Sequence, residues 1–124
     1  MEITPEIPQD RQVIESYGEG RFRISGRAYT GSVLVFPDRT LAWPVTSMPD
    51  LSMDALADVV AAGPPVEILL IGCGAKLALL PGPLRQALRE HGIGCDTMDT
   101  GAACRTYNVL LAESRRVAAA LIAL

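Results

Sequence analysis

Hydrophobic periodicity divides the chain into two parts. Through residue 46, apolar and polar positions alternate with a period of two and are broken by turn residues. In RFRISGRAY, Phe22, Ile24 and Ala28 alternate with Arg21, Arg23 and Ser25, and Gly26 reads as a bulge or kink. GSVLVF is a short apolar strand, and Pro37-Asp38-Arg39-Thr40 reads as a turn leading into LAWPV. This part predicts an antiparallel meander, preceded by an irregular tail over residues 1–12 that holds Pro5 and Pro8.

Beyond residue 50, helical and buried-strand patterns take turns. LSMDALADVVAAG predicts a helix capped by Ser52, with Leu56, Val59 and Val60 on its apolar side and Gly63 as its stop. VEILLI is aliphatic throughout, as a strand covered on both faces would be. GPLRQALREHG predicts a helix with Pro83 in its first turn and Gly92 after its last, and GIGCDTM predicts a further strand. From Gly101 to the C-terminus, Ala103, Tyr107, Leu110, Leu111, Val117, Ala118 and Leu121 recur at helical spacing, and Asp99 or Thr100 can cap the start. The expectation is an α/β fold with α+β character at its N-terminus: N-terminal antiparallel strands, then αβαβα, with helices packed on a mixed central sheet.

Composition narrows the function classes. With 124 residues and 13.2 kDa the chain fits one domain, and 49% hydrophobic against 20% charged residues is an ordinary globular balance. A net charge of −3 and a pI near 5.0 argue against nucleic acid and anionic lipid as partners. Arg21/Arg23 and Arg115/Arg116 are offset by nearby acids. The three cysteines share no metal-ligand spacing and suit no secreted disulfide framework. The N-terminus lacks a signal-peptide pattern, and apolar runs stop well short of the roughly 20 residues of a membrane helix. A cytoplasmic location without membrane insertion is expected.

IGCGAKLALLPGP is the stretch that most invites a ligand. A dinucleotide fingerprint needs a third glycine where Leu77 stands. A phosphate loop needs glycine before and a hydroxyl residue after its lysine, and Lys76 has neither. The following helix starts late, after Pro81-Gly82-Pro83, so Gly72, Cys73 and Gly74 form either a strand exit or one wall of a small-anion site. The single histidine, His91, closes a helix beside Gly92, where a cation complements the helix dipole. Cys104 in a helical first turn beside Arg105 has two influences favouring thiolate, although thiols are also common small core residues. Asp96 and Asp99 flank a strand end, and Glu113 with Arg116 at i,i+3 spacing suggests an ion pair worth about 0.2–0.5 kcal/mol.

Polar residues are unusually dense on the last helix: Thr100, Arg105, Thr106, Asn108, Glu113, Arg115 and Arg116. Asn108 is a poor mid-helix residue. It either bonds the end of a neighbouring strand or lines a cleft where the loops at 72–76 and 98–101 meet, outside the carboxyl ends of two strands. The candidate cleft residues are Gly72, Cys73, Gly74, Lys76, Thr100, Cys104, Arg105 and Asn108. No catalytic set, metal site or cofactor motif is evident.

Taken together, Tyr29–Pro37 (YTGSVLVFP), Trp43, LLIGCG at 69–74 and MDTGAACRTYNVLLAESRRVAAAL at 98–121 resemble the family of the mitochondrial complex I assembly factor three and its bacterial relatives, the Mth-like domain proteins. The last block is the specific one. Its pattern falls on Gly72, Gly74, Met98, Thr100, Ala103, Cys104, Arg105, Tyr107, Asn108, Leu110, Glu113 and Arg116, and departs at Cys73. The resemblance implies a three-layer fold, with a mixed central sheet flanked by helices on one side and by further strands and a helix on the other. It also implies a non-enzymatic role in the biogenesis of a membrane respiratory complex through protein contacts. A monomer or weak homodimer is expected, with the apolar C-terminal VAAALIAL either finishing a core or forming a dimer contact. The alternative is a small-molecule or anion-binding protein, or an unrecognised enzyme, that uses the cleft between Gly72–Lys76 and Thr100–Asn108.

Overall fold

The computed structural model describes residues 11–124, so residues 1–10 of the expected tail lie outside it. Strands β1 (Ile14–Gly18), β2 (Arg21–Ile24) and β3 (Arg27–Thr30) form an antiparallel sheet in the order β1-β2-β3. Gly26 is a hairpin turn rather than a bulge. Ser25 and Gly26 have φ of 45° and 83°, and Ile24 pairs with Arg27 across them. Two successive positive φ values match the right-handed twist of the flanking strands, which is why RFRISGRAY becomes two strands instead of one. Glu19 and Gly20 repeat the device between β1 and β2, with φ of 53° and 73°.

The rest of the expected meander joins a second sheet. β4 (Val33–Val35) and β5 (Thr40–Ala42) pair with each other and enter a five-stranded sheet with β6 (Ile68–Gly72), β7 (Gly94–Met98) and β8 (Val117–Leu121), in the order β5-β4-β8-β6-β7. β8 is central, antiparallel to β4 and parallel to β6, so the sheet is mixed as expected. The expected helix to the C-terminus is corrected here. Helix α3 (Thr100–Ala112) ends where Ser114 takes a φ of 59°, and Val117–Leu121 is a strand buried at every position. A strand covered on both faces has no polar alternation to announce it, so its apolar run continued the helical spacing by coincidence.

The buried side chains sort onto the two faces of this sheet. On one face Leu34, Leu69, Ile71, Ala118 and Ala120 pack with Leu56 and Val59, from a 3-10 turn and α1 (Ala57–Val60), and with Leu84 and Leu88 of α2 (Gly82–Glu90). On the other, Val33, Val35, Leu70, Val117, Ala119 and Leu121 meet Phe22 and Ile24 of the small sheet and Ala103, Cys104, Tyr107 and Leu111 of α3. This is the three-layer arrangement of mixed sheet, helices, and strands plus helix that the resemblance implies. Alanines at 118–120 let both outer layers approach the central strand closely. The helix expected after Ser52 is reduced to that 3-10 turn and the four residues of α1; their N-caps are Met53 and Leu56, and Ser52 accepts the Ala55 N–H at 3.2 Å just ahead of the turn.

Ser114→Gly is expected to stabilise the protein by about 0.5–1 kcal/mol, because glycine occupies a left-handed position without strain. In a continuous helix the same change would instead cost roughly 0.5 kcal/mol. Denaturant unfolding of the variant distinguishes the two signs.

Candidate functional site

α3 begins with a knot of backbone. Thr100 is fully buried; its Oγ1 accepts the Gly74 N–H at 2.9 Å and donates to the Ile122 carbonyl at 2.8 Å, while its own N–H donates to the Gly74 carbonyl at 2.9 Å. One threonine thus fastens the exits of β6 and β8 to the helix start, and Asp99 caps that helix by accepting the Ala102 N–H at 2.9 Å. A Cβ on Gly72 would come within 3.0 Å of the Thr100 Cα and of the Leu121 side chain, so only glycine lets these segments approach. Gly74, with φ of 95°, makes the turn out of the strand.

Farther along α3, polar side chains reach the N-terminal sheet. The Asn108 amide accepts the Ile14 N–H at 3.0 Å and donates to the Ile14 carbonyl at 2.7 Å, reproducing one residue of strand pairing with a side chain. Tyr107, buried completely, donates its hydroxyl to the Gln12 carbonyl at 3.0 Å. Arg105 donates to the Tyr17 hydroxyl at 2.8 Å. Tyr17 lies across Gly101, where a Cβ would sit 2.6 Å from the phenol oxygen. Gln12, Ile14 and Tyr17 are therefore gripped by one helix. The sequence reading missed Tyr17 and Gly101, whose only signal is a glycine inside a helical pattern.

The predicted residues are thus divided. Gly72, Gly74 and Thr100 are brought into direct contact, and Asn108 engages the backbone of β1. Lys76 and Arg105 are exposed, and Cys73 is partly buried, with its thiol near the carbonyls of Ile71 and Ala78. Cys104 lies in the core at 2% exposure. Burial pushes its thiol up to about 12, outweighing the lowering by Arg105, so the thiolate expected from its place near the helix start is not favoured. Cys95 is likewise pushed up to about 12, first by burial and against the pull of Arg85. The expected Glu113–Arg116 pair does not form. The chain reverses at Ser114, and Arg115 and Arg116 instead straddle Glu67 at 3.3 and 3.7 Å, both exposed. Among the described residues no group of three or more His, Cys, Asp or Glu is placed to hold a metal.

Two surface hollows lie away from the Gly72–Lys76 loop. One of about 750 Å³ runs beside β7 between α2 and α3, over Ile68, Leu70 and Leu110, with Arg85, Arg89 and Asp96 at its rim. A shallower one of about 390 Å³ lies on the small sheet around Arg21, Arg23 and Ala28.

Residues 14–122 match a family described as a protein of unknown function (DUF498/DUF598). The chain is 37% identical over 110 residues to "NADH dehydrogenase [ubiquinone] 1 alpha subcomplex assembly factor 3" of Danio rerio; the match covers 89% of this chain and 63% of that protein's length. The crystal structure of a protein of Bartonella henselae described as an outer membrane protein superposes with a TM-score of 0.84 at 42% identity, covering 93% of this chain and 97% of the other. A Bordetella pertussis protein described as a Mth938-like domain superposes with a TM-score of 0.80 at 26% identity, covering 98% and 92%. Both halves of the sequence-level resemblance, to the assembly factor and to the Mth-like domain, are thereby met.

Protonated buried thiols make two expectations. A thiol reagent at neutral pH should modify Cys73 first and reach Cys95 and Cys104 only as the protein opens. Because the unfolded thiols ionise near 9 and the folded ones near 12, the folded state holds more protons between those values. Stability should therefore be level through neutral pH and fall as pH rises above about 9, less steeply in Cys104→Ala. Melting temperatures across an alkaline series check the sign.

Proposed function

The chain belongs to the DUF498/DUF598 family, and from that premise we propose that it is a non-enzymatic protein of assembly-factor type, acting through protein contacts in the biogenesis of a membrane respiratory complex. The observation that carries this reading is the inward use of the polar block on α3. Thr100, Tyr107, Asn108 and Arg105 each hold another part of the same chain, which is what a binding scaffold asks of them and not what a set of reacting groups asks. The name of the Danio rerio relative supplies the class of partner, and because this chain spans 63% of that protein, the role is inferred for this chain and not carried over whole.

Two further features support protein contacts. Leu77 and Leu79, 62% and 86% exposed, stand out from the loop between β6 and α2, and the hollow beside β7 has an apolar floor. Among the described residues no helix is long and apolar enough to cross a membrane. The place of work we propose is the cytoplasm, and its partners are proteins rather than nucleic acid. Cell fractionation separates this from the outer membrane named for the Bartonella henselae relative.

Deleting the gene from its native cell should lower the amount of assembled membrane NADH dehydrogenase on a native gel, with restoration by the wild-type chain. Unchanged levels of that complex, together with a pull-down that recovers none of its subunits or biogenesis factors, would remove the reading.

A further inference from the structure

The hollow of about 750 Å³ adjoins an open edge of the five-stranded sheet, because β7 is the last strand in its order. Gly94 donates its N–H to the Glu67 carbonyl and Met98 accepts from the Cys73 N–H, so Gly94, Asp96 and Met98 turn their backbone groups toward β6. By strand alternation, Cys95 and Thr97 turn theirs outward. Arg85 covers the Cys95 carbonyl at 2.7 Å. The Cys95 N–H and both backbone groups of Thr97 have no partner among the described residues. Such a row is a template for another strand.

Gly94 is the second observation. Its φ is not in the left-handed region, and a Cβ there would meet nothing closer than the Glu67 carbonyl at an ordinary 3.7 Å. Nothing in the fold thus requires glycine at this strand position, where it weakens the strand. What its bareness provides is access: Ile68, its partner on β6, is left open to the hollow.

Third, the two sides of the edge differ. Arg85 and Arg89 line it from α2, whereas Ile68, Leu70 and Leu110 line it on the α3 side together with Asp96. We propose, resting on the assembly-factor reading above, that β7 takes an extended segment of a partner protein in which acidic and apolar residues alternate, laid along its open edge as an added strand. Successive side chains of a strand point to opposite faces. Acidic ones would meet the guanidinium groups, and apolar ones would enter the hollow, with Asp96 repelling the wrong register. A free anion would use the arginines without needing the backbone edge or the bare Gly94.

The test titrates the full isotope-labelled chain with a hexapeptide of alternating glutamate and valine, and with its lysine–valine counterpart, while following backbone amides by NMR. The glutamate peptide should shift the Cys95 and Thr97 amides. Gly94→Val and Arg89→Glu should each weaken binding about tenfold or more, with melting temperatures at or above wild type for Gly94→Val and unchanged for Arg89→Glu. Equal binding of the lysine peptide, shifts confined to residues 16–28, or no shift at millimolar peptide would overturn the proposal. So would self-association through β7 that blocks the edge. If the peptide fails while gene deletion still depletes the respiratory complex, only the β7 surface falls; if deletion has no effect while the peptide binds as expected, only the assembly role falls.

Discussion

The grip of Asn108 on the backbone of Ile14 is the contact on which the arrangement of layers turns. The small sheet consists of three strands of four or five residues, each too short to be stable alone. Phe22 and Ile24 give it an apolar underside, but apolar contact is not directional and would tolerate slippage. The bidentate amide of Asn108, the Tyr107 hydroxyl on Gln12 and the Arg105–Tyr17 bond fix its position along α3. α3 itself is fixed by Thr100, which joins it to the exits of β6 and β8. The order of dependence runs from the central sheet through Thr100 to α3, and through Asn108 to the outer strands.

That chain of contacts also explains where function is to be sought. Thr100, Tyr107 and Asn108 hold backbone, and an unpaired backbone group left by their loss would be costly. What stays open lies outward: the two leucines of the β6–α2 loop and the edge of β7 with its arginines. On the proposed reading, shape and charge on those surfaces are what the molecule would offer to another protein.

The helix α2, both parallel strands β6 and β7, and the Asp99 cap could be read from the sequence because each has a local signature: periodicity, an aliphatic run, or a cap in place. So could the family, through the block at 98–121. β1 could not, since Ile14 is its sole buried residue and its polar positions look like a tail. β8 was hidden for the opposite reason: all five positions are buried, and three are alanines that suit a helix as well. The site was half legible. Sequence picked out Thr100, Arg105 and Asn108 as unusual, but their partners are 22 to 94 residues away and no local pattern encodes them. Cys104 illustrates the limit best, because helix position and Arg105 predicted a thiolate and only burial, invisible in a window of sequence, reverses it.

The most direct test of the central claim is Asn108→Ala, followed by denaturant unfolding and amide hydrogen exchange. If Asn108 is the clasp, the variant loses about 1–3 kcal/mol, and exchange accelerates in β1–β3 far more than in β6 or α2. Stability within about 0.5 kcal/mol of wild type, with protection of the small sheet unchanged, would contradict the account and return Asn108 to the role of a residue waiting for a ligand.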